Sequence, residues 1–272
     1  MRLMQSIQNK SKYPLILTLL MVILSACAVD VGASGHELNV LAASSLTDAL
    51  NEIAAAYEAN TPGTHIKLNY ASSSILAAQI LEGARADVFA SANTEQMENL
   101  VNSGLIHGDI DYFASNRMTA IVPAENPARI ISIADLAEPG TALVLALPGV
   151  PARVYTDQFV NQVISDPAYG ADFRAGFYSN VVSEEANVRR VVAKVALGEA
   201  DGGIVYVSDI TPDMKDSVRQ IPIPDEYNPV ARYPIAVLDN AQDTEIAQGF
   251  LDFILSREGQ AILKKWGFGA KP

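Results

Sequence analysis

The residues of this sequence that could bind a ligand are small and uncharged, and they stand where strand-like runs change to helix-like runs. Ser45 comes directly before a helical run and Asp48 follows three residues later, which is the pattern of a capping box. Ser73 or Ser74 stands in the same relation to the next helical run. Each serine, taken alone, is most simply interpreted as a helix cap.

Two further helix starts are visible in the second half of the chain. Pro151 suits the first position of a helix, where the amide that proline lacks would have no acceptor. Glu184 and Glu185 precede a helical run that begins near Val188. In open α/β sheets ligands bind at the carboxyl ends of the strands, where helices begin. Four such helix starts, with free N–H groups and positive dipole ends, favour an anion.

The elements that would position these residues form two series of alternating strands and helices. Strand-like runs lie at 38–43, 66–70, 87–90 and 118–123 in the first series, and at 143–147, 181–182 and 203–207 in the second. A last strand at 233–238 precedes amphipathic helices. Alternation of this kind predicts parallel strands with helices on both faces, that is, doubly wound α/β units.

We therefore predict an α/β fold of two lobes. Residues 38–120 together with 233–272 would form lobe 1, and residues 121–232 would form lobe 2. The terminal segment is too short for a domain and too apolar to stand alone, so it is placed against lobe 1. The chain would then cross between the lobes near 119–124 and near 230–234. Two crossings make a hinge over a cleft.

The beginning of the chain, residues 1–26, reads as a signal peptide. Three basic residues precede a stretch of twelve apolar or small residues. Cys27, the single cysteine, ends a Leu-Ser-Ala-Cys run that resembles the lipobox of bacterial lipoproteins, where the cysteine is lipidated. Residues 27–37 would be a lipid-anchored tether. The protein is expected in the cell envelope, on the periplasmic or extracytoplasmic face of a membrane.

Composition and charge exclude several classes of protein. The chain has 272 residues, of which 49% are hydrophobic, so it can bury a sizeable core and is not disordered. A net charge of −12 argues against a nucleic-acid partner, because that affinity comes from clustered Lys and Arg. One cysteine excludes a disulfide scaffold. A small-molecule binder and an enzyme remain.

An α/β hydrolase is the enzyme alternative, and its motifs are missing from the sequence. There is no Gly-x-Ser-x-Gly elbow, no Ser-x-x-Lys pair and no phosphate loop ending in Gly-Lys-Ser or Gly-Lys-Thr. His36, His65 and His107 are scattered and there is no second cysteine, so no zinc site is predicted. A binding protein is therefore favoured, with no catalytic residue and no metal-cation site.

Six segments of the sequence resemble, in their order and spacing, the corresponding segments of a known protein family. They are AASSLTDA (42–49), YASSSILAAQI (70–80), EGARADVFASA (82–92), VPARVY (150–155), EANVRRVVAKVALGEADGGIVYVSD (185–209) and RYPIAV (232–237). Over roughly residues 38–268 the chain resembles the molybdate-binding proteins of ABC transporters. The resemblance implies the two-lobed periplasmic-binding-protein fold, molybdate or tungstate as ligand without a cofactor, and delivery to a membrane permease. A carrier that opens and closes around its ligand is expected to be a monomer.

Proteins of that family hold the oxyanion with neutral groups, which the resemblance places on five residues here. They are the hydroxyls of Ser45 and Ser73, the backbone N–H groups of Ala152 and Val188, and the hydroxyl of Tyr206. A fully deprotonated tetrahedral dianion accepts hydrogen bonds and donates none, so a set composed of donors suits it.

Two features of the sequence leave details of this assignment open. Arg153 stands where the family pattern has glycine, and it brings bulk and charge beside the amide of Ala152. Ser44, Ser72 and Ser74 neighbour the assigned serines, so which hydroxyl points inward is ambiguous by one residue. Arg153 is otherwise interpreted, like Arg189 and Arg190, as a surface charge with Glu184 and Glu185 as local partners.

Sulfate and phosphate are the alternative ligands within the binding class. Phosphate can carry a proton and would favour a carboxylate acceptor in the cleft, for which Asp48 is the nearest candidate. Asp48 is more simply interpreted as a charge at a helix start.

Overall fold

The structure is a computed structural model that describes residues 35–271. The predicted signal peptide (1–26), the lipidation residue Cys27 and the tether up to residue 34 lie outside the described residues. The final two tether positions, His36 and Glu37, begin the first strand, where they pair with Thr64 and His65.

Strands and helices alternate through most of the described chain. The strands are β1 (His36–Ala43), β2 (Thr64–Ala71), β3 (Val88–Ala90), β4 (Ile106–Pro123), β5 (Leu143–Ala146), β6 (Val181–Glu185), β7 (Gly202–Tyr206), β8 (Val218–Pro222) and β9 (Val230–Leu238). The helices are α1 (Thr47–Asn60), α2 (Ser73–Leu81), α3 (Thr94–Asn102), α4 (Pro151–Ile164), α5 (Gly170–Ser179), α6 (Val188–Ala196), α7 (Thr244–Leu255) and α8 (Arg257–Lys265). Between residues 35 and 271, no helix combines the length and apolar character needed to cross a membrane.

The strands form two groups that share β4. Their order is β2-β1-β3-β9-β4-β7-β5-β6, and β8 also pairs with β4. We call β1, β2, β3 and β9 the first group and β5, β6, β7 and β8 the second group. The parallel pairing expected from the sequence is present within each group, between β1 and its neighbours β2 and β3 and between β5 and its neighbours β6 and β7. All pairings of β4 and β9 are antiparallel, so the sheet is mixed.

The long strand β4 is the element that joins the two groups. Residues 106–117 pair with β9, whereas residues 118–123 pair with β7 and β8. The sequence pattern predicted only the second, apolar part as a strand. The first part contains Gly108, Asp109 and Asp111 and has irregular register there, which hides its period of two.

Helix α5 and strand β8 were not expected from the sequence. Only Phe173 and Phe177 are buried on α5, so its apolar stripe is narrow, and both rings pack against Phe159 of α4. Strand β8 pairs with β4 and ends at Pro222.

Candidate functional site

The five residues assigned from the sequence line the same cavity. The lining consists of small and uncharged residues: Ala43, Ser44, Ser45, Ser72, Ser73, Ala92, Val150, Pro151, Ala152, Val188 and Tyr206. Each of the five assigned residues is at most 3% exposed. The sequence pattern did not indicate Ala43, Ala92 or Val150, because an alanine or valine at a strand end has no chemistry of its own.

Both strand groups contribute to the cavity at the carboxyl ends of their parallel strands. Ser45 and Ser73 follow β1 and β2, whereas Ala152 and Val188 follow β5 and β6, and Tyr206 ends β7. Helices α2, α4 and α6 begin at this edge, and a 3₁₀ turn at Ser44–Leu46 leads into α1. The structure therefore brings four helix starts together, as expected from the sequence.

Ser45 differs from the capping role that its position suggested. It lies within the 3₁₀ turn, and neither that turn nor α1 has a side-chain cap. Its Oγ is 3.1 Å from the hydroxyl of Tyr233 on β9. Asp48 does not complete a capping box; its carboxylate pairs with Arg189 of α6.

Three neighbouring serines at the start of α2 have separate roles. Ser72, and not Ser73 or Ser74 as expected, is the cap, because its Oγ accepts from the amide of Ile75 at 3.3 Å. The Ser74 hydroxyl pairs with that of Ser72 at 3.1 Å. Ser73 Oγ accepts from the amide of Ala92 at 2.9 Å and is fully buried. The Ser73 proton is thus free to be donated to a ligand.

The two backbone donors lie in the first turns of α4 and α6. Pro151 begins α4 as predicted, and Ala152 follows it. Val188 begins α6 after the cap residue Asn187, whose Oδ1 accepts from the amide of Arg190 at 3.2 Å. Amides in a first helical turn have no acceptor within the helix. Those of Ala152 and Val188 are accordingly available at the cavity wall.

Tyr206 contributes a hydroxyl that has no hydrogen-bond partner among the described residues. The side chain is 1% exposed, and its ring packs edge-on against Tyr155 and Tyr233. Burial raises the pKa of Tyr206 well above its ordinary value, so the hydroxyl keeps its proton. Leaving such a group unpaired costs about 1–3 kcal/mol, which an acceptor bound in the cavity would offset.

Arg153 does not line the cavity. Its guanidinium pairs with Asp157 at 2.8 Å and with Glu184 at 2.5 Å, and it lies over the ring of Tyr178. Glu184 is the local partner that the sequence suggested. The departure from the family pattern therefore adds an ion pair outside the cavity and leaves the amide of Ala152 at its wall.

Charged residues come close to the cavity without lining it. Arg189 pairs with Asp48 across the two strand groups, and its Nε is 3.5 Å from Oδ1 of Asp209. The expectation that Arg189 is a surface charge partnered by the neighbouring glutamates is therefore wrong. Asp209 is fully buried and also accepts from the amide of Tyr206 at 3.0 Å. These contacts of Asp209 hold the end of β7, which carries the Tyr206 side chain.

Asp209 will make the stability of the protein depend on pH. Burial raises its pKa from 3.8 to about 6, with Arg189 opposing the shift. The folded state therefore holds a proton that the unfolded state has lost, and stability falls as pH rises from about 4 through 6. Between pH 5 and 7.5 the free energy of unfolding falls by roughly 1–2 kcal/mol through the ionisation of Asp209.

Urea unfolding of the wild type and of Asp209→Asn at pH 5 and pH 7.5 measures this contribution. The asparagine keeps an acceptor for the Tyr206 amide and does not ionise, so we expect it to lose less stability over the interval than the wild type. Identical losses in the two proteins would show that Asp209 does not titrate there.

Within residues 35–271, no cluster of three or more His, Cys, Asp or Glu side chains could hold a metal ion. His36 and His65 lie near single carboxylates at exposed positions.

Each strand group contains three parallel strands, and the long antiparallel strands β4 and β9 join the two groups. Helix starts and neutral donors from both groups line the cavity. This arrangement defines a two-lobed solute-binding protein. The family model described as bacterial extracellular solute-binding protein matches residues 38–269. The chain belongs to this family.

Individual proteins that are similar to this chain are also solute-binding proteins by name. The molybdate-binding protein ModA of Mycobacterium tuberculosis is 38% identical over 233 residues, which cover 86% of this chain and 84% of the relative. The periplasmic molybdate-binding protein of Azotobacter vinelandii matches with a TM-score of 0.73 at 22% identity, over 85% of this chain and 98% of that one. The sulfate-binding protein SubI of M. tuberculosis matches with a TM-score of 0.77 at 18% identity, over 86% of each chain. At such identities the two solved structures show the fold alone.

The family confirms two predictions made from the sequence. The fold is the two-lobed periplasmic-binding-protein fold. The protein belongs to the binding class and not to the enzymes, since its family is one of solute-binding proteins and the M. tuberculosis relative is named as a molybdate-binding protein.

Proposed function

We propose that the protein captures molybdate, or tungstate, in the cavity and delivers it to the permease of an ABC transporter. The observation that carries the proposal is the Tyr206 hydroxyl, buried without a partner in a cavity whose described lining has no charged side chain. The similarity to a relative named as molybdate-binding supports the choice of ligand.

The donors suit a fully deprotonated oxyanion. The hydroxyls of Ser45, Ser73 and Tyr206 and the amides of Ala152 and Val188 can each donate one hydrogen bond. Bonds of this kind to a charged group contribute about 1.5–3 kcal/mol each. The helix starts add positive dipole ends, so a dianion needs no Lys or Arg beside it.

Closure of two lobes is the proposed binding step. We place lobe 1 at residues 38–120 with 233–272 and lobe 2 at residues 121–232, so that the serines lie on one lobe and the other donors on the second. The ligand completes both donor sets only when the lobes meet, which favours the closed state. The ion pair between Asp48 and Arg189 joins the same two sides.

The proposed location follows from the start of the sequence. Cys27 would carry the lipid after removal of residues 1–26, and the tether would hold a monomer at the outer face of a membrane. Mass spectrometry of protein extracted from membranes tests this through the mass of the N-terminal peptide.

A competition titration by calorimetry tests the ligand. The mature protein without its lipid is expected to bind molybdate and tungstate with submicromolar affinity and sulfate much more weakly. Sulfate is the second candidate, because a fully deprotonated sulfate would accept hydrogen bonds from the same donors. Phosphate is disfavoured, since the described lining offers its proton no carboxylate. A preference for sulfate or phosphate would overturn the proposal.

Removing either serine hydroxyl will weaken binding without unfolding the protein. Ser45→Ala and Ser73→Ala are each expected to lower molybdate affinity by about tenfold, since each removes a bond to a charged group. Ser256→Ala is the matched control, because it removes the cap of α8 at a cost of about 1 kcal/mol in stability and Ser256 does not line the cavity. Its affinity for molybdate is expected to match that of the wild type. Lost stability with unchanged affinity for Ser45→Ala and Ser73→Ala would mean that these serines are structural.

A further inference from the structure

The hydroxyl of Ser45 has a buried partner on β9. Tyr233 Oη lies 3.1 Å from Ser45 Oγ, and either hydroxyl could be the donor by distance alone. Tyr233 is fully buried on β9, and its ring packs against Phe113, Tyr206 and Phe268. The ring cannot turn without disturbing this packing, so the position of the hydroxyl is fixed.

Asn116 of β4 decides how Tyr233 is bonded. The amide N–H of Arg117 lies 2.9 Å from Asn116 Oδ1, and a backbone N–H can only donate, so that end of the side chain is the oxygen. The other end, Nδ2, is 3.3 Å from Tyr233 Oη and 2.8 Å from Ser208 Oγ. An NH₂ group donates, and Tyr233 Oη therefore accepts from Asn116.

The hydroxyl proton of Tyr233 is then left with Ser45 Oγ as its acceptor. Within residues 35–271, the side chains hydrogen-bonded to Tyr233 Oη are those of Asn116 and Ser45, and Tyr206 Oη has no hydrogen-bond partner. If Ser45 donated to Tyr233, the buried phenol proton would have no acceptor. Donation by Tyr233 to Ser45 Oγ satisfies both groups and leaves the Ser45 proton for the cavity.

We propose that Tyr233, oriented by Asn116, is a positioning residue that turns the Ser45 hydroxyl into an obligate donor toward the bound oxyanion. The inference rests on the proposed function. Ser73 has the same polarity from a simpler source, since the Ala92 amide donates to its Oγ. The Oγ atoms of both serines thus accept a hydrogen bond from a fixed donor of the protein, which leaves the hydroxyl protons for the ligand.

The test is a double-mutant cycle on molybdate affinity with Tyr233→Phe, Ser45→Ala and the double variant. Tyr233→Phe is expected to weaken binding by about threefold to tenfold, because the Ser45 hydroxyl loses its orientation. The double variant is expected to bind as weakly as Ser45→Ala, because Tyr233 acts through Ser45. Tyr155→Phe is the control; it removes a buried hydroxyl that accepts from the Arg232 amide, and it should bind as the wild type does.

The possible results separate the inference from the proposed function. If Ser45→Ala weakens binding while Tyr233→Phe matches the wild type, or if the two losses multiply in the double variant, the positioning role is wrong. If the wild type does not bind molybdate, the proposed function itself fails. Should Tyr233→Phe not fold, Asn116→Ala replaces it in the same cycle, because it frees Tyr233 to accept from Ser45; equal affinity for Asn116→Ala and the wild type would overturn the inference.

Discussion

Replacement of Val188 by proline will leave the protein folded and weaken molybdate binding by about tenfold to a hundredfold. The loss corresponds to one hydrogen bond between a backbone amide and a charged ligand, about 1.5–3 kcal/mol. Val188 is the first residue of α6, and its amide has no acceptor within the helix. Proline deletes that donor while keeping a side chain of similar size.

The backbone around Val188 accepts proline without strain. Proline is favoured at the first helical position. The residue before a proline must be extended, and Asn187 already is, with φ −157° and ψ 165°. The thermal midpoint of the ligand-free variant is therefore expected to stay near that of the wild type.

Thr94→Pro is the matched control for this substitution. Thr94 begins α3 after Asn93, a capping asparagine with φ −151° and ψ 162°, and it does not line the cavity. Calorimetric titration of both variants should show weakened binding for Val188→Pro alone. Unchanged binding by a folded Val188→Pro variant would remove the α6 amide from the donor set.

Replacement of Tyr206 by phenylalanine will change affinity and stability in opposite directions. Molybdate affinity is expected to fall by about tenfold to a hundredfold, since a buried hydroxyl that donates to the anion is lost. The ligand-free protein is expected to unfold at the same or a higher temperature, because phenylalanine removes a buried polar group that has no partner in the described structure.

If Tyr206 had only a structural role, its replacement by phenylalanine would have different effects on stability and affinity. Its loss would lower the thermal midpoint and leave the affinity of the folded fraction unchanged. Tyr155→Phe supplies the comparison, because the Tyr155 ring touches that of Tyr206 and its hydroxyl is already bonded to the Arg232 amide. Lower stability with wild-type affinity in Tyr206→Phe would rule out the donor role.

Local pattern predicted the features that depend on neighbouring residues. The alternation of strands and helices and the start of α4 at Pro151 follow from periodicity and capping chemistry. The choice among Ser72, Ser73 and Ser74 did not follow, because a shift of one residue in the helix start exchanges the cap and the cavity donor. Tyr206 was assigned only through the family resemblance, since a tyrosine in an apolar strand has no distinguishing local signal.

Contacts between distant residues were beyond sequence reasoning. Arg189 and Asp48 are 141 residues apart, and Tyr233 and Ser45 are 188 apart. Their pairing depends on how β4 and β9 bring the two strand groups together, which no local pattern encodes. The charged neighbours of the site and the orientation of its hydroxyls therefore required the folded structure.

Crystals grown with molybdate, with the metal located by its anomalous scattering, test the central claim most directly. The account predicts one strong peak in the cavity, with the ligand oxygens at hydrogen-bonding distance from the hydroxyls of Ser45, Ser73 and Tyr206 and from the amides of Ala152 and Val188. A peak outside the cavity, or one surrounded by Arg and Lys side chains, would contradict it.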